Sequence, residues 1–69
     1  MRKEFLFFSY LIESYAEYKG ITAAEALKIL DEKNQTDFVY NMYEMYHTES
    51  INNAFMDIDS LITTGKPAW

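Results

Sequence analysis

The chain has 69 residues, eleven acidic and six basic side chains, and a net charge of −5. A chain this short forms one domain with a thin core, and because it lacks cysteine it holds neither a disulfide nor a thiolate zinc site. The acidic balance disfavours nucleic acid and anionic lipid as partners, and a hydrophobic fraction of 49% argues against a disordered chain.

The first predicted helix spans about residues 3 to 19 and is apolar around most of its circumference. It should end at Gly20, since glycine commonly terminates helices. Helical spacing predicts one stripe that faces the core: Phe5, Phe8, Ile12, Tyr15 and Ala16. Further apolar side chains widen the arc well beyond that stripe: Leu6, Phe7, Tyr10, Leu11 and Tyr18. Such a helix needs cover on more than one side.

The apolar run in this helix, residues 5 to 12, is too short to span a bilayer. It contains Ser9 and Tyr10, lies between Glu4 and Glu13, and precedes no small-residue cleavage site. We therefore expect no membrane association and a cytoplasmic, unprocessed chain.

The second predicted helix spans about residues 23 to 33. Thr22 and Glu25 form a capping box in sequence, in which each side chain accepts a hydrogen bond from the other residue's backbone N–H. Asn34 and Gln35 then interrupt the helical pattern.

The last two predicted helices span about residues 37 to 47 and 49 to 64. The final helix has the clearest amphipathic pattern, with Asp57 and Asp59 on its predicted solvent face, and ends at Gly65. Trp69 is predicted to extend into solvent. The sequence thus predicts an all-α fold, a small bundle of about four helices, in a single domain over residues 1–69.

Glu44 and His47 are the only candidates for metal ligands. A Glu and a His three residues apart on a helix is a unit that di-iron bundles use twice, so a symmetric dimer with Glu13 or Glu17 as extra ligands would be required. A solvated pair near a helix C-terminus is the simpler interpretation. We therefore expect no metal and no cofactor.

The sequence contains no recognisable group of catalytic residues. The serines Ser9, Ser14 and Ser60 have only one histidine and no cysteine to act with, and no glycine-rich loop is present. The sequence therefore predicts a protein that is not an enzyme.

A helix-turn-helix is the alternative interpretation of the second and third helices. Its recognition helix would carry Asp37 and Glu44 and no basic residue, which is the wrong charge for phosphates. Nucleic acid is therefore a disfavoured partner, and a helical transcription regulator stays the second hypothesis.

The aromatic residues suggest an interaction surface. Tyr15, Tyr43 and Tyr46 fit the rim of the core. Five apolar side chains that fall off the core stripes are the predicted interface: Leu6, Phe7, Tyr10, Tyr18 and Tyr40.

Five segments of the chain, residues 5–13, 15–16, 36–39, 42–47 and 53–59, resemble a family of short uncharacterised bacterial all-helical proteins. The resemblance covers nearly the whole chain and implies no catalytic residues, because the family has no assigned activity. It also implies a gene neighbour similar to ADP-ribosyltransferases, in an arrangement similar to toxin–antitoxin pairs. Our first hypothesis is therefore a non-catalytic interaction module that binds itself and a second protein, as an antitoxin-like or regulatory partner.

Overall fold

The computed structural model describes residues 2–68. This part of the chain contains no strand and five α-helices: α1 (Lys3–Lys19), α2 (Ala23–Glu32), α3 (Thr36–Asn41), α4 (Tyr43–Tyr46) and α5 (Ile51–Thr64). The all-α prediction is confirmed. Trp69, which we predicted to extend into solvent, lies outside the described residues.

Residues with left-handed backbone follow three of the helices. Gly20 has φ 73° after α1, Asn34 has φ 58° after α2, and Gly65 has φ 80° after α5. At the end of α1, the backbone N–H of Ile21 donates to the carbonyl of Ala16 at 2.9 Å. Glycine adopts this conformation without a steric penalty. Gly20 and Gly65 therefore end α1 and α5, as the sequence predicts.

The start of α2 contains the capping box. The hydroxyl of Thr22 accepts a hydrogen bond from the N–H of Glu25 at 3.1 Å, and the Glu25 carboxylate accepts one from the N–H of Thr22 at 2.9 Å. The hydrogen bond from the Thr22 backbone lowers the pKa of Glu25. Two backbone donors that a helix start leaves unpaired are thereby satisfied.

The core is built around α1, which packs against the other helices. The buried side chains of the core come from all five helices: Leu11, Ile12, Tyr15, Ala16, Ala26, Leu30, Val39, Tyr46, Ala54, Phe55, Ile58 and Leu61. Tyr15 and Tyr46, which we placed at the core rim, are almost completely buried, and Tyr43 is half-buried.

The buried face of α1 is rotated relative to the predicted stripe. Leu11, assigned to the surplus arc, is fully buried, whereas Phe5, assigned to the core, is 48% exposed. Phe5 lies in the first turn of α1 and borders an open pocket that is also lined by Ala23 and Leu27 of α2. Periodicity identifies an apolar arc, but the neighbouring helices determine which part of the arc is covered.

The predicted third helix, residues 37–47, is interrupted at Met42. The N–H of Met42 bonds to the carbonyl of Val39 at 3.2 Å, a three-residue turn, and α4 begins at the next residue. The preceding residues Val39, Tyr40 and Asn41 all have low intrinsic helix propensity, which makes a break there inexpensive. The bundle therefore has five short helices instead of about four.

Asp59 of α5 binds the buried phenol of Tyr15. The Tyr15 hydroxyl donates to the Asp59 carboxylate at 2.5 Å, and the Lys19 ammonium lies 3.3 Å from the same oxygen. Burial, followed by the hydrogen bond and charge of Asp59, raises the pKa of Tyr15 well above its ordinary value. This cluster joins the C-terminal half of α1 to α5.

Asp57 was predicted to lie on the solvent face of α5. This prediction is wrong, because Asp57 is only 4% exposed. Its carboxylate accepts a hydrogen bond from the N–H of Ala68 at 3.2 Å. The buried Tyr46 hydroxyl makes no hydrogen bond of regular geometry among the described residues, yet burial and then the nearby Asp57 carboxylate raise the pKa of Tyr46. Asp57 therefore faces α4 and the C-terminal tail.

Alkaline pH should destabilise the fold through Tyr15 and Tyr46. Their raised pKa values mean that the folded state favours the neutral phenols, so this stability is complete below pH about 10, the ordinary tyrosine pKa, and is lost above it. Parallel titrations of tyrosinate absorbance and far-ultraviolet circular dichroism should show these two phenols ionising only as helicity is lost. Tyr46→Phe should remove one late-ionising group. Ionisation of all six tyrosines in a helical protein would contradict their burial.

Thr22→Ala should lower the free energy of unfolding by about 1 kcal/mol, because it removes the N-cap of α2. Urea denaturation followed by circular dichroism measures this loss. Thr63→Ala is a matched control, since the Thr63 hydroxyl bonds only to backbone carbonyls of its own helix. Equal losses in the two variants would show that the capping box has no special role.

Candidate functional site

The side of α1 that points away from the core carries two large exposed apolar side chains. Leu6 is 54% exposed and Tyr10 is 58% exposed. They lie one helical turn apart and are therefore neighbours on the helix surface. Charged, exposed residues continue the same stripe at three- and four-residue spacing. We call the stripe the outer face of α1: Lys3, Leu6, Tyr10, Glu13 and Glu17.

Phe7 connects this face to the core. Its ring packs edge-on against Tyr43 of α4, with centroids 5.6 Å apart, and lies 6.4 Å from the Tyr10 ring. Phe7 is half-buried. It therefore supports the outer face from the side and is not a freely available contact.

His47 is held by Tyr43. The two rings stack in parallel, with centroids 4.2 Å apart and planes 3° from each other, and His47 Nδ1 lies 2.6 Å from the Tyr43 carbonyl oxygen. Within residues 2–68 no three His, Cys, Asp or Glu side chains are grouped as metal ligands. Glu44 and His47 thus have no third ligand beside them in a single copy of the described chain.

The other two predicted interface residues lie elsewhere. Tyr18 is exposed, but its ring stacks on Phe55 of α5 at a centroid distance of 4.9 Å. Tyr40 is half-buried and packs on Phe8 at 5.4 Å. The structure therefore brings Leu6, Phe7 and Tyr10 together and separates them from Tyr18 and Tyr40.

Met56 is an exposed apolar residue that the sequence analysis did not single out. It is 60% exposed and borders an open pocket of about 270 Å³, whose other lining residues are Met45, Glu49, Asn53, Asp57 and Ala68. Met56 lies among the polar residues of α5, which is the sequence signal for its exposure. The otherwise clear amphipathic pattern of this helix drew attention away from it. Asp57, the buried member of this lining, accepts a hydrogen bond from the N–H of Ala68, which lines the same pocket.

A larger open groove, about 610 Å³, lies between the end of α1, α2 and α5. Its apolar lining includes Ile21, Ile29 and Ile62. Its ionisable side chains bind one another, since Tyr15 and Lys19 both contact Asp59. Burial and the neighbouring Asp59 raise the pKa of Tyr15, so the phenol is neutral, and the cluster links α1 to α5.

Charge is unevenly distributed along the chain. No Lys or Arg occurs from residue 34 to 65, although this segment contains five acidic residues. The segment that would form the recognition helix, residues 37–47, is divided between α3 and α4, which have six and four residues. This arrangement presents negative charge where phosphate contacts would be needed.

None of the helices in the described part of the chain combines the length and the hydrophobicity that crossing a membrane requires.

Comparisons with known proteins give one match. No curated protein and no solved structure matches the chain. A family model matches residues 6–64, which include most of α1 and all of α2 to α5, and it is described as a protein of unknown function, DUF3791. Because this match covers more than half of the sequence, the chain belongs to the DUF3791 family of proteins of unknown function.

Proposed function

We propose that this protein is a non-catalytic protein-interaction module of the cytoplasm, and that it binds through the outer face of α1. The observation that carries the proposal is the pair Leu6 and Tyr10, which are side by side, more than half exposed and opposite the core. Adjacent apolar side chains of this size on a charged helix face are typical of contact sites. Tyrosine also contributes a large contact area and a polar tip at low entropy cost.

The outer face is also well prepared for binding. The opposite side of α1 is fixed by Leu11, Ile12 and Tyr15, which are buried in the core. Phe7 packs against α4 at the edge of the face. A surface on a rigid helix loses little conformational freedom when a partner binds, so more of the contact energy appears as affinity.

A second protein is the partner that the resemblance suggests. We propose an antitoxin-like or regulatory role toward an enzyme similar to ADP-ribosyltransferases, encoded beside this chain. The net charge of −5 favours a partner with a basic contact surface, because complementary charge accelerates association and excludes acidic competitors.

Replacement of Leu6 and Tyr10 together by serine should abolish association while leaving the helix content and the thermal midpoint nearly unchanged, because neither side chain belongs to the core. The measurement is native mass spectrometry of the tagged protein purified gently from its own host. The expected result is loss of the wild-type complexes.

Met56→Ser is the matched control, since Met56 is exposed to a similar extent but lies on α5. It should retain every complex. Complexes that survive Leu6→Ser/Tyr10→Ser and are lost in Met56→Ser would move the interaction site to α5 and refute the proposal.

A further inference from the structure

The outer face of α1 changes character along the helix. Its first residue, Lys3, is basic, its middle residues Leu6 and Tyr10 are apolar, and its next residue, Glu13, is acidic. All four side chains are exposed and recur at intervals of three, four and three residues. This interval keeps them on one line along a helix, as in the contact positions of coiled coils.

Because the face runs from basic through apolar to acidic, it is complementary to the same face of a second copy when the two α1 helices are antiparallel. In an antiparallel pair, the sequence numbers of facing residues add to a constant. The residue numbers add to 16 both when Leu6 faces Tyr10 and when Lys3 faces Glu13. One register therefore satisfies the apolar and the charged contacts together. A parallel pair would instead place Lys3 beside Lys3 and Glu13 beside Glu13, which is repulsive.

We propose that the outer face of α1 docks a second copy of this chain, antiparallel, with its two-fold axis level with Phe8. Leu6 packs on the partner's Tyr10, and Lys3 pairs with the partner's Glu13. The inference rests on the proposed function, because it uses the same surface, so a second copy and a second protein compete for the outer face of α1. In this register Glu17 lies one turn beyond Lys3, the first residue of the partner's α1, and faces no residue of that helix.

The contact is small. Ten residues of helix separate Lys3 from Glu13, which is about 15 Å, and such a contact buries less than a standard interface. The dimer is therefore weak, and it weakens further as salt is added, because exposed charge pairs are screened.

Charge reversal distinguishes this geometry from general electrostatics. Lys3→Glu changes the net charge from −5 to −7 and Glu13→Lys changes it from −5 to −3. If only net charge mattered, Glu13→Lys would associate more tightly than the wild type. In the proposed dimer each variant places like charges in both symmetric contacts, so each should associate about tenfold more weakly or worse.

Mixing the two variants provides the decisive experiment. In a mixed pair, the new carboxylate at position 3 of one variant meets the new ammonium at position 13 of the other. The remaining contact pairs the unchanged Glu13 with the unchanged Lys3, so both contacts become attractive again. Sedimentation velocity at low ionic strength, with fluorescent label on the Lys3→Glu variant alone, should show association restored by Glu13→Lys. Circular dichroism checks that both variants remain folded.

Glu17→Lys is the matched control. It makes the same chemical change one turn further along the same face, so it should self-associate like the wild type and should fail to restore full association of Lys3→Glu. A monomeric wild type at high concentration, or restoration by Glu17→Lys in place of Glu13→Lys, would overturn the proposed pairing. The proposed function would fail separately, if complexes with host proteins survived Leu6→Ser/Tyr10→Ser.

Discussion

α1 supplies the side chains on which the other helices pack, and the rest of the structure depends on this contact. Leu11 and Ile12 are buried beneath the neighbouring helices, and Tyr15 meets α5 through the ring of Phe55 at 5.8 Å. In a chain this small, four short helices cannot surround a central helix completely. On the side of α1 opposite the core, they leave Leu6 and Tyr10 uncovered, so the interaction surface follows from the same constraint as the core.

The polar contacts inside this core explain how so many aromatic residues are accommodated. A buried hydroxyl without a partner is costly, and α5 provides a carboxylate near each of two buried phenols, Asp59 for Tyr15 and Asp57 for Tyr46. Of these two pairs, Tyr15 and Asp59 form a direct hydrogen bond, which restricts how α5 can rotate against α1. The two acids are two residues apart on the helix and therefore point to different sides of α5, Asp59 toward α1 and Asp57 toward α4 and the C-terminal tail.

Local chemistry made the helix ends predictable, and tertiary packing made other features unpredictable. The capping box of Thr22 and Glu25 and the turn at Gly20 depend on residues close in sequence, so the sequence predicts them directly. The break at Met42, the burial of Asp57 and the exposure of Phe5 depend on which helices lie nearby. For the candidate site, the excess of apolar residues in α1 pointed to Leu6 and Tyr10. The contacts that remove Tyr18 and Tyr40 from that surface come from packing on Phe55 and Phe8 and leave no trace in periodicity.

The central claim is that the outer face of α1 is a contact surface, and concentration-dependent nuclear magnetic resonance tests it most directly. Spectra of the isotope-labelled protein would be recorded over a dilution series at low ionic strength. The account predicts that the signals that shift with concentration are those of Lys3, Leu6, Tyr10 and Glu13, with those around Met56 unchanged. Shifts confined to the surroundings of Met56, or no concentration dependence at all, would contradict it.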